Sequence, residues 1–246
     1  MHNCLCCNGG DHRTSAGGRR RFMATAAGLF ATGAIAARGA LAGSDGFKTK
    51  LTPGEALRTL REGNARFVAG SPARPDLSPA RRSATSHGQG PFASILTCAD
   101  SRVAPELVFN RGIGELFVVR TAGNISDDIA LGSIEYGVAV LGAPLLVVMG
   151  HASCGAVSAA VEMSEKGATF PGHIGDVARP IVPAVQAVRG RQGDLLGNAI
   201  RENAMMVAES MISGSPLLRD AILKEKLRVI AAYYGLADGK VEFLEG

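Results

Sequence analysis

The chain has 246 residues, 46% hydrophobic and 20% charged, a balance that excludes a mainly disordered, collagen-like or disulfide-scaffold protein. It contains no run of 18 or more purely apolar residues, which argues against a multi-span membrane protein. The net charge of +4 comes from residues 1–42, where Arg13, Arg19, Arg20, Arg21 and Arg38 face only Asp11; the rest holds 21 basic and 21 acidic side chains and makes no electrostatic case for binding nucleic acid or an anionic membrane.

The first segment reads as an address. A polar stretch ends in Gly18-Arg19-Arg20-Arg21-Phe22-Met23, a weakly apolar run follows from Ala24 to Ala37, and Ala40-Leu41-Ala42 supplies a small-x-small cleavage site. This order resembles twin-arginine export signals, and the low hydrophobicity and Arg38 favour that route over the Sec route. The expectation is an export signal at 1–42, a short linker at 43–50, a domain at 51–246, and a folded protein delivered to the periplasm or otherwise exported, with no stable membrane insertion after cleavage. Cleavage removes Cys4, Cys6 and Cys7 and leaves Cys98 and Cys154, with His87, His151 and His173.

Thr52-Pro53-Gly54-Glu55 has the pattern of a capped helix start, and Leu57, Leu60 and Phe67 continue at roughly helical spacing. Ser71 to Pro79, with three prolines, reads as an irregular arm. Three short apolar runs suit buried strands: Phe92 to Thr97, Glu115 to Val119 and Leu145 to Met149. A helix is expected over Asp128 to Leu141. Further helices follow around Asn198 to Met211 and Pro216 to Lys224, then a strand pair, Leu227 to Ala232 and Val241 to Leu244, turning at Asp238-Gly239. The alternation predicts an α/β fold with a central, mostly parallel sheet flanked by helices, and sites beyond the carboxyl ends of its strands.

The first predicted strand runs into Cys98-Ala99-Asp100-Ser101-Arg102, and the third into Gly150-His151-Ala152-Ser153-Cys154-Gly155. Two cysteines in an exported chain would ordinarily suggest a disulfide. With an imidazole at the same sheet end, two thiolates suit Zn²⁺ better, with Asp100 or water in the fourth position. Gly112-Ile113-Gly114 precedes a strand and so fails as a dinucleotide fingerprint. His87 and His173 read as surface residues.

The sequence resembles the beta-class carbonic anhydrases through Cys98-x-Asp100-Ser101-Arg102-Val103, Arg120-x-Ala122-Gly123-Asn124, Ser133-x-Glu135-Tyr136 and Gly150-His151-x-x-Cys154-Gly155, in that order. The resemblance runs from about Leu51 to Leu244. It implies one Zn²⁺ per chain on Cys98, His151 and Cys154, a catalytic pair in Asp100 and Arg102, and reversible hydration of CO₂ to bicarbonate and a proton by zinc-bound hydroxide. It further implies that Gln89, Phe117, Ala122, Tyr136 and Gly155 line the substrate pocket, and that the protein is a homodimer or homotetramer whose pocket walls come from two chains. Some family members close the site by ligating the aspartate, under control of a pocket containing Trp. This chain has no Trp, with Ile95 and Thr97 in that neighbourhood, and the open arrangement is favoured. Thr121 stands where the family commonly has Asn. Hydrolysis of CS₂ or COS on the same fold, and a non-catalytic zinc or thiol-redox role, are the alternative readings.

Overall fold

The structure is a computed structural model that describes residues 47–244; the expected export signal lies outside the described residues. Part of the expected linker is described, and it already lies against the body: a Cβ on Gly90 would meet the Phe47 carbonyl, and Lys48 packs beside Gly142.

Helix α1 (Pro53–Val68) starts as its sequence dictates. The Thr52 hydroxyl accepts from the Glu55 N–H, the Glu55 carboxylate accepts from the Thr52 N–H, and Pro53 opens the helix. Its buried Asn64 reaches across the fold, donating to the Val108 and Gly239 carbonyls and accepting from the Val241 N–H. The arm ends in a short helix absent from the sequence reading, α2 (Pro79–Thr85), capped by Ser78.

The sheet has the order β2-β1-β3-β4-β5, formed by β1 (Ala93–Cys98), β2 (Leu116–Thr121), β3 (Leu145–His151), β4 (Arg228–Tyr234) and β5 (Val241–Leu244). The first four strands in that order are mutually parallel, and only β5 runs antiparallel, against β4. Strands β1 and β3 are buried along their whole length. Alternation sorts their side chains: Leu145, Val147 and Met149 join one core with Ile95 and Leu60, while Leu146 and Val148 join another with Leu96 and Ile134. Further helices follow α2 along the chain, α3 (Pro105–Val108), α4 (Asp128–Glu135), α5 (Gly155–Lys166), α6 (Ile174–Ala178), α7 (Val182–Ala187), α8 (Leu195–Gly214) and α9 (Pro216–Leu223). Helices therefore cover both faces of the sheet, among them α1 on the first and α8 and α9 on the second.

Three expectations are corrected. Strands β1, β2 and β3 run one to two residues further than the apolar runs, because polar and functional residues at their ends stay in register: Cys98 pairs with Thr121, and His151 with Tyr234. The helix expected over Asp128 to Leu141 is α4 (Asp128–Glu135) followed by a π-helical turn at Tyr136–Val140. There Gly137 lies so close to the sheet that a Cβ would sit 2.6 Å from the Ser94 hydroxyl and 3.0 Å from the Phe117 ring. The β4–β5 link is a loop closed by bonds between Gly235 and Lys240 and between Gly239 and Gly235, wider than a two-residue hairpin turn.

Candidate metal centre

The strand order reverses at β1: β2 lies on one side of it and β3 on the other, so a crevice opens where β1 and β3 end. Cys98 is the last residue of β1 and His151 the last of β3. Cys154 caps the N-terminus of helix α5 (Gly155–Lys166), three residues beyond His151. The turn between them passes through Ser153 at φ 54 and is tied to β4 by a bond from the Ala152 N–H to the Tyr234 carbonyl. These three residues bring one sulfur, one ring nitrogen and a second sulfur within 4.8 Å of one another, all buried.

The arrangement suits a metal atom by atom. The Cys98 and Cys154 sulfurs are 4.0 Å apart, in thiol hydrogen-bond contact, and form no disulfide. Two sulfurs on one tetrahedral Zn²⁺ stand about 3.8 Å apart, from Zn–S bonds of about 2.3 Å. His151 Nδ1 lies 2.9 Å from the Ala152 carbonyl, which can only accept, so Nδ1 carries the proton and Nε2 keeps its lone pair. That Nε2 is fully buried with no hydrogen-bond partner among the described residues. A buried imidazole nitrogen left bare beside two thiols is a ligand set for Zn²⁺, and the residues fit the ion.

The two thiols differ. The facing Cys154 thiol, the His151 ring and the Gly123 and Asp100 N–H groups pull Cys98 down, against the effect of burial. Cys154 is pushed up, first by facing the Cys98 sulfur and then by burial. The facing pair thus favours one shared thiolate, and the start of α5 supports a second once a cation is present.

Asp100 does not join the ligand cluster. Its Oδ1 accepts from the Arg102 N–H and Nε at 2.9 Å each, and its Oδ2 accepts from Arg102 Nη2 at 2.7 Å. The guanidinium holds the carboxyl well below the usual carboxylate range. Oδ2 stands 3.9 Å from His151 Nε2, at the mouth of the cluster. Arg120 fixes this loop from β2, donating to the Cys98 and Asp100 carbonyls at 3.0 and 2.6 Å. The Thr121 hydroxyl donates to the Ile125 carbonyl at 2.7 Å and closes the turn after β2. Inside that turn the Gly123 N–H points at the Cys98 sulfur, at 3.3 Å.

The expected pocket residues divide into two groups. Ala122 and Gly155 are exposed and directly follow Thr121 and Cys154, beside the cluster. Gln89, Phe117 and Tyr136 lie at the other end of the sheet. Phe117 pairs with Ser94, four residues and about 13 Å along β1 from Cys98 at 3.3 Å per residue. The Tyr136 ring is 6.2 Å from that of Phe117, and Gln89 precedes the start of β1. One chain does not gather these three around its own metal ligands. His173 is on the surface, paired with Asp176 at 3.0 Å, and His87 is exposed.

A family model described as carbonic anhydrase matches residues 93–241, the stretch that carries every ligand. Carbonic anhydrase 2 of Mycobacterium tuberculosis is 40% identical over 190 residues, covering 76% of this chain and 91% of its own. The chain belongs to the carbonic anhydrase family. Its fold is that of the beta class: a Coccomyxa beta-carbonic anhydrase in complex with acetazolamide superposes with a TM-score of 0.59 at 24% identity, covering 76% of this chain and 86% of that one. One of two tetrameric beta-carbonic anhydrases from Sordaria macrospora gives 0.59 at 21% identity, covering 68% and 90%. As a carbonic anhydrase, the chain catalyses CO₂ hydration, and its Cys98–His151–Cys154 triad accounts for one zinc per chain. The sequence reading of the triad, the enzyme class and the parallel sheet matches these findings. The bracing roles of Arg120, Thr121 and Gly123 escaped it. Arg120 and Gly123 stood out as motif members and Thr121 as a departure, but nothing in their spacing says which carbonyl or sulfur each one meets.

Proposed function

We propose that this carbonic anhydrase works through an open metal site, in which Cys98, His151 and Cys154 hold the ion and Asp100 stays with Arg102. The three hydrogen bonds between Asp100 and Arg102 carry this reading, since they occupy both carboxylate oxygens and leave Oδ2 facing the cluster without joining it. Bound by these three residues, Zn²⁺ would supply the Lewis acidity that makes water nucleophilic near neutral pH. Arg102 keeps Asp100 ionised and its plane fixed. Asp100 Oδ2 is then an acceptor on the open side of the cluster and orients the attacking group toward CO₂. Ala122 and Gly155, small and exposed beside the ligands, leave room for a small apolar substrate. Asp100→Asn is expected to retain zinc, show two sulfur and two lighter ligands by X-ray absorption, and lose about 10²-fold or more in kcat/KM, the range of lost positioning and proton handling. An unchanged rate would reduce Asp100 to a structural partner of Arg102.

The oligomer and the leader belong to the same proposal. Gln89, Phe117 and Tyr136 serve as pocket walls for a second copy, in a dimer or a dimer of dimers; the Sordaria macrospora relative is described as tetrameric. Light scattering of the mature protein at micromolar concentration tests this, and a fully active monomer is the contrary result. Residues 1–42 act as a twin-arginine signal, so zinc is inserted before export to the periplasm. Changing Arg19 and Arg20 to Lys is expected to leave active, zinc-loaded precursor in the cytoplasm. Undiminished export would remove the twin-arginine reading.

A further inference from the structure

Asn203 is a misfit at its position. It lies in the middle of α8, 2% exposed, beside buried Ala199, Ile200 and Ala204. Asn is a poor residue for a helix interior, and a buried amide is costly unless it is bonded. Its Nδ2 donates to the Gly123 carbonyl at 3.0 Å, a buried contact between residues 80 apart in sequence. The Gly123 N–H donates in turn to the Cys98 sulfur. Gly123 sits at φ 71 and Asn124 at φ 47, two consecutive left-handed residues. A Cβ on Gly123 would lie 2.6 Å from Ile181 Cδ1 and 2.9 Å from the Ala156 Cβ, so no larger residue can stiffen this turn. A glycine in such a turn has the backbone freedom to swing its N–H away from the sulfur. Two side chains restrain it: Thr121 closes the turn across its ends, and Asn203 grips the Gly123 carbonyl from behind.

We infer that Asn203 is a positioning residue for the Cys98 ligand, holding the Gly123 peptide so that its N–H bonds the thiolate. An N–H bond to a metal thiolate draws electron density from the sulfur, lowering its donation to the metal while favouring its ionised form. Asn203 thereby sets the donor strength of one ligand without touching the metal or the substrate. The inference rests on Cys98 being a ligand, and the experiment separates the two ideas. Wild type and Asn203→Leu are loaded with Co²⁺, and the sulfur-to-cobalt charge-transfer band is recorded; zinc loss to a chelator is followed in parallel. Asn203→Leu is expected to shift the band and to weaken zinc retention by about 10-fold or more, the usual scale for lost support of a metal ligand. Met211→Ala, in a different apolar cluster of the same helix, is expected to lower stability with the band unmoved. Thr121→Val loosens the same turn from its other side and keeps the test available if Asn203→Leu fails to fold. It should shift the band in the same direction. A thiolate band identical to wild type in every soluble variant that loosens the turn overturns the positioning role. A cobalt thiolate band left unchanged by Cys98→Ser would instead overturn ligation by Cys98.

Discussion

The two ends of the parallel sheet are built to different rules. At the carboxyl ends of β1, β2 and β3, the functional groups are tied within one chain: Asp100 to Arg102, Arg120 to the Cys98 and Asp100 carbonyls, His151 to Ala152, Cys98 to Gly123. At the amino ends, Gln89 is exposed, Tyr136 is 42% exposed, and the Ser94 hydroxyl is buried without a partner among the described residues. Ligand geometry has to hold to fractions of an ångström, and one chain can guarantee that through its own bonds. Walls that hold an apolar gas by shape tolerate looser tolerances, and a second copy can supply them.

The sharpest way to break this contrast is at the ligands. Cys154→Ser is expected to lose zinc and activity together, with metal content read by atomic absorption; full zinc and full rate would remove Cys154 from the site. The amino end should respond in the opposite pattern. Phe117→Ala is expected to keep one zinc per chain while weakening self-association by about 10-fold or more, as truncation of an interface aromatic does. Sedimentation over a concentration series checks it, and lost zinc would show that the two ends are not separable. A smaller effect tests the bracing of the carboxyl end: Gly123→Ala should cost about 1–3 kcal/mol through its positive φ and lack of room, read by chemical denaturation of the metal-free protein. The smallest belongs to neither end. Thr52→Ala removes the cap of α1 and is expected to cost about 1 kcal/mol with kcat/KM unchanged, so a loss of activity there would mean that α1 is coupled to the site.

The legible part of this molecule is what repeats or clusters along the chain. Short, mainly apolar runs announced β1 and β3, and Thr52-Pro53 announced α1, because each is decided by neighbours in sequence. The triad was legible because Cys98, His151 and Cys154 each follow such a run. The π-helical turn was not: its cause is the close approach of Gly137 to Ser94 and Phe117, from strands separated from it by tens of residues. Asn203 was invisible for a similar reason. It looks like one polar residue on an amphipathic helix until the sheet places Gly123 beside it. That Phe117 and Tyr136 stand far from their own Cys98 likewise depends on register, which side-chain pattern alone does not reveal.

The pairing of β1 with β3 also dictates an order of events as the chain folds. Cys98 and His151 become neighbours only when residues 94–97 dock on residues 146–149, with β2 and α4 spooled out between them. His151 and Cys154 are joined by a short turn and can meet early, but two donors hold an ion far less firmly than three. Parallel strands bridged by some fifty residues are slow to find each other, because the intervening chain must be ordered before their contacts reward it. Zinc should therefore be captured late, as a lock on a core that has already formed. A chain stalled before β1 and β3 have met should bind the metal weakly and exchange it freely, whatever its cysteine content.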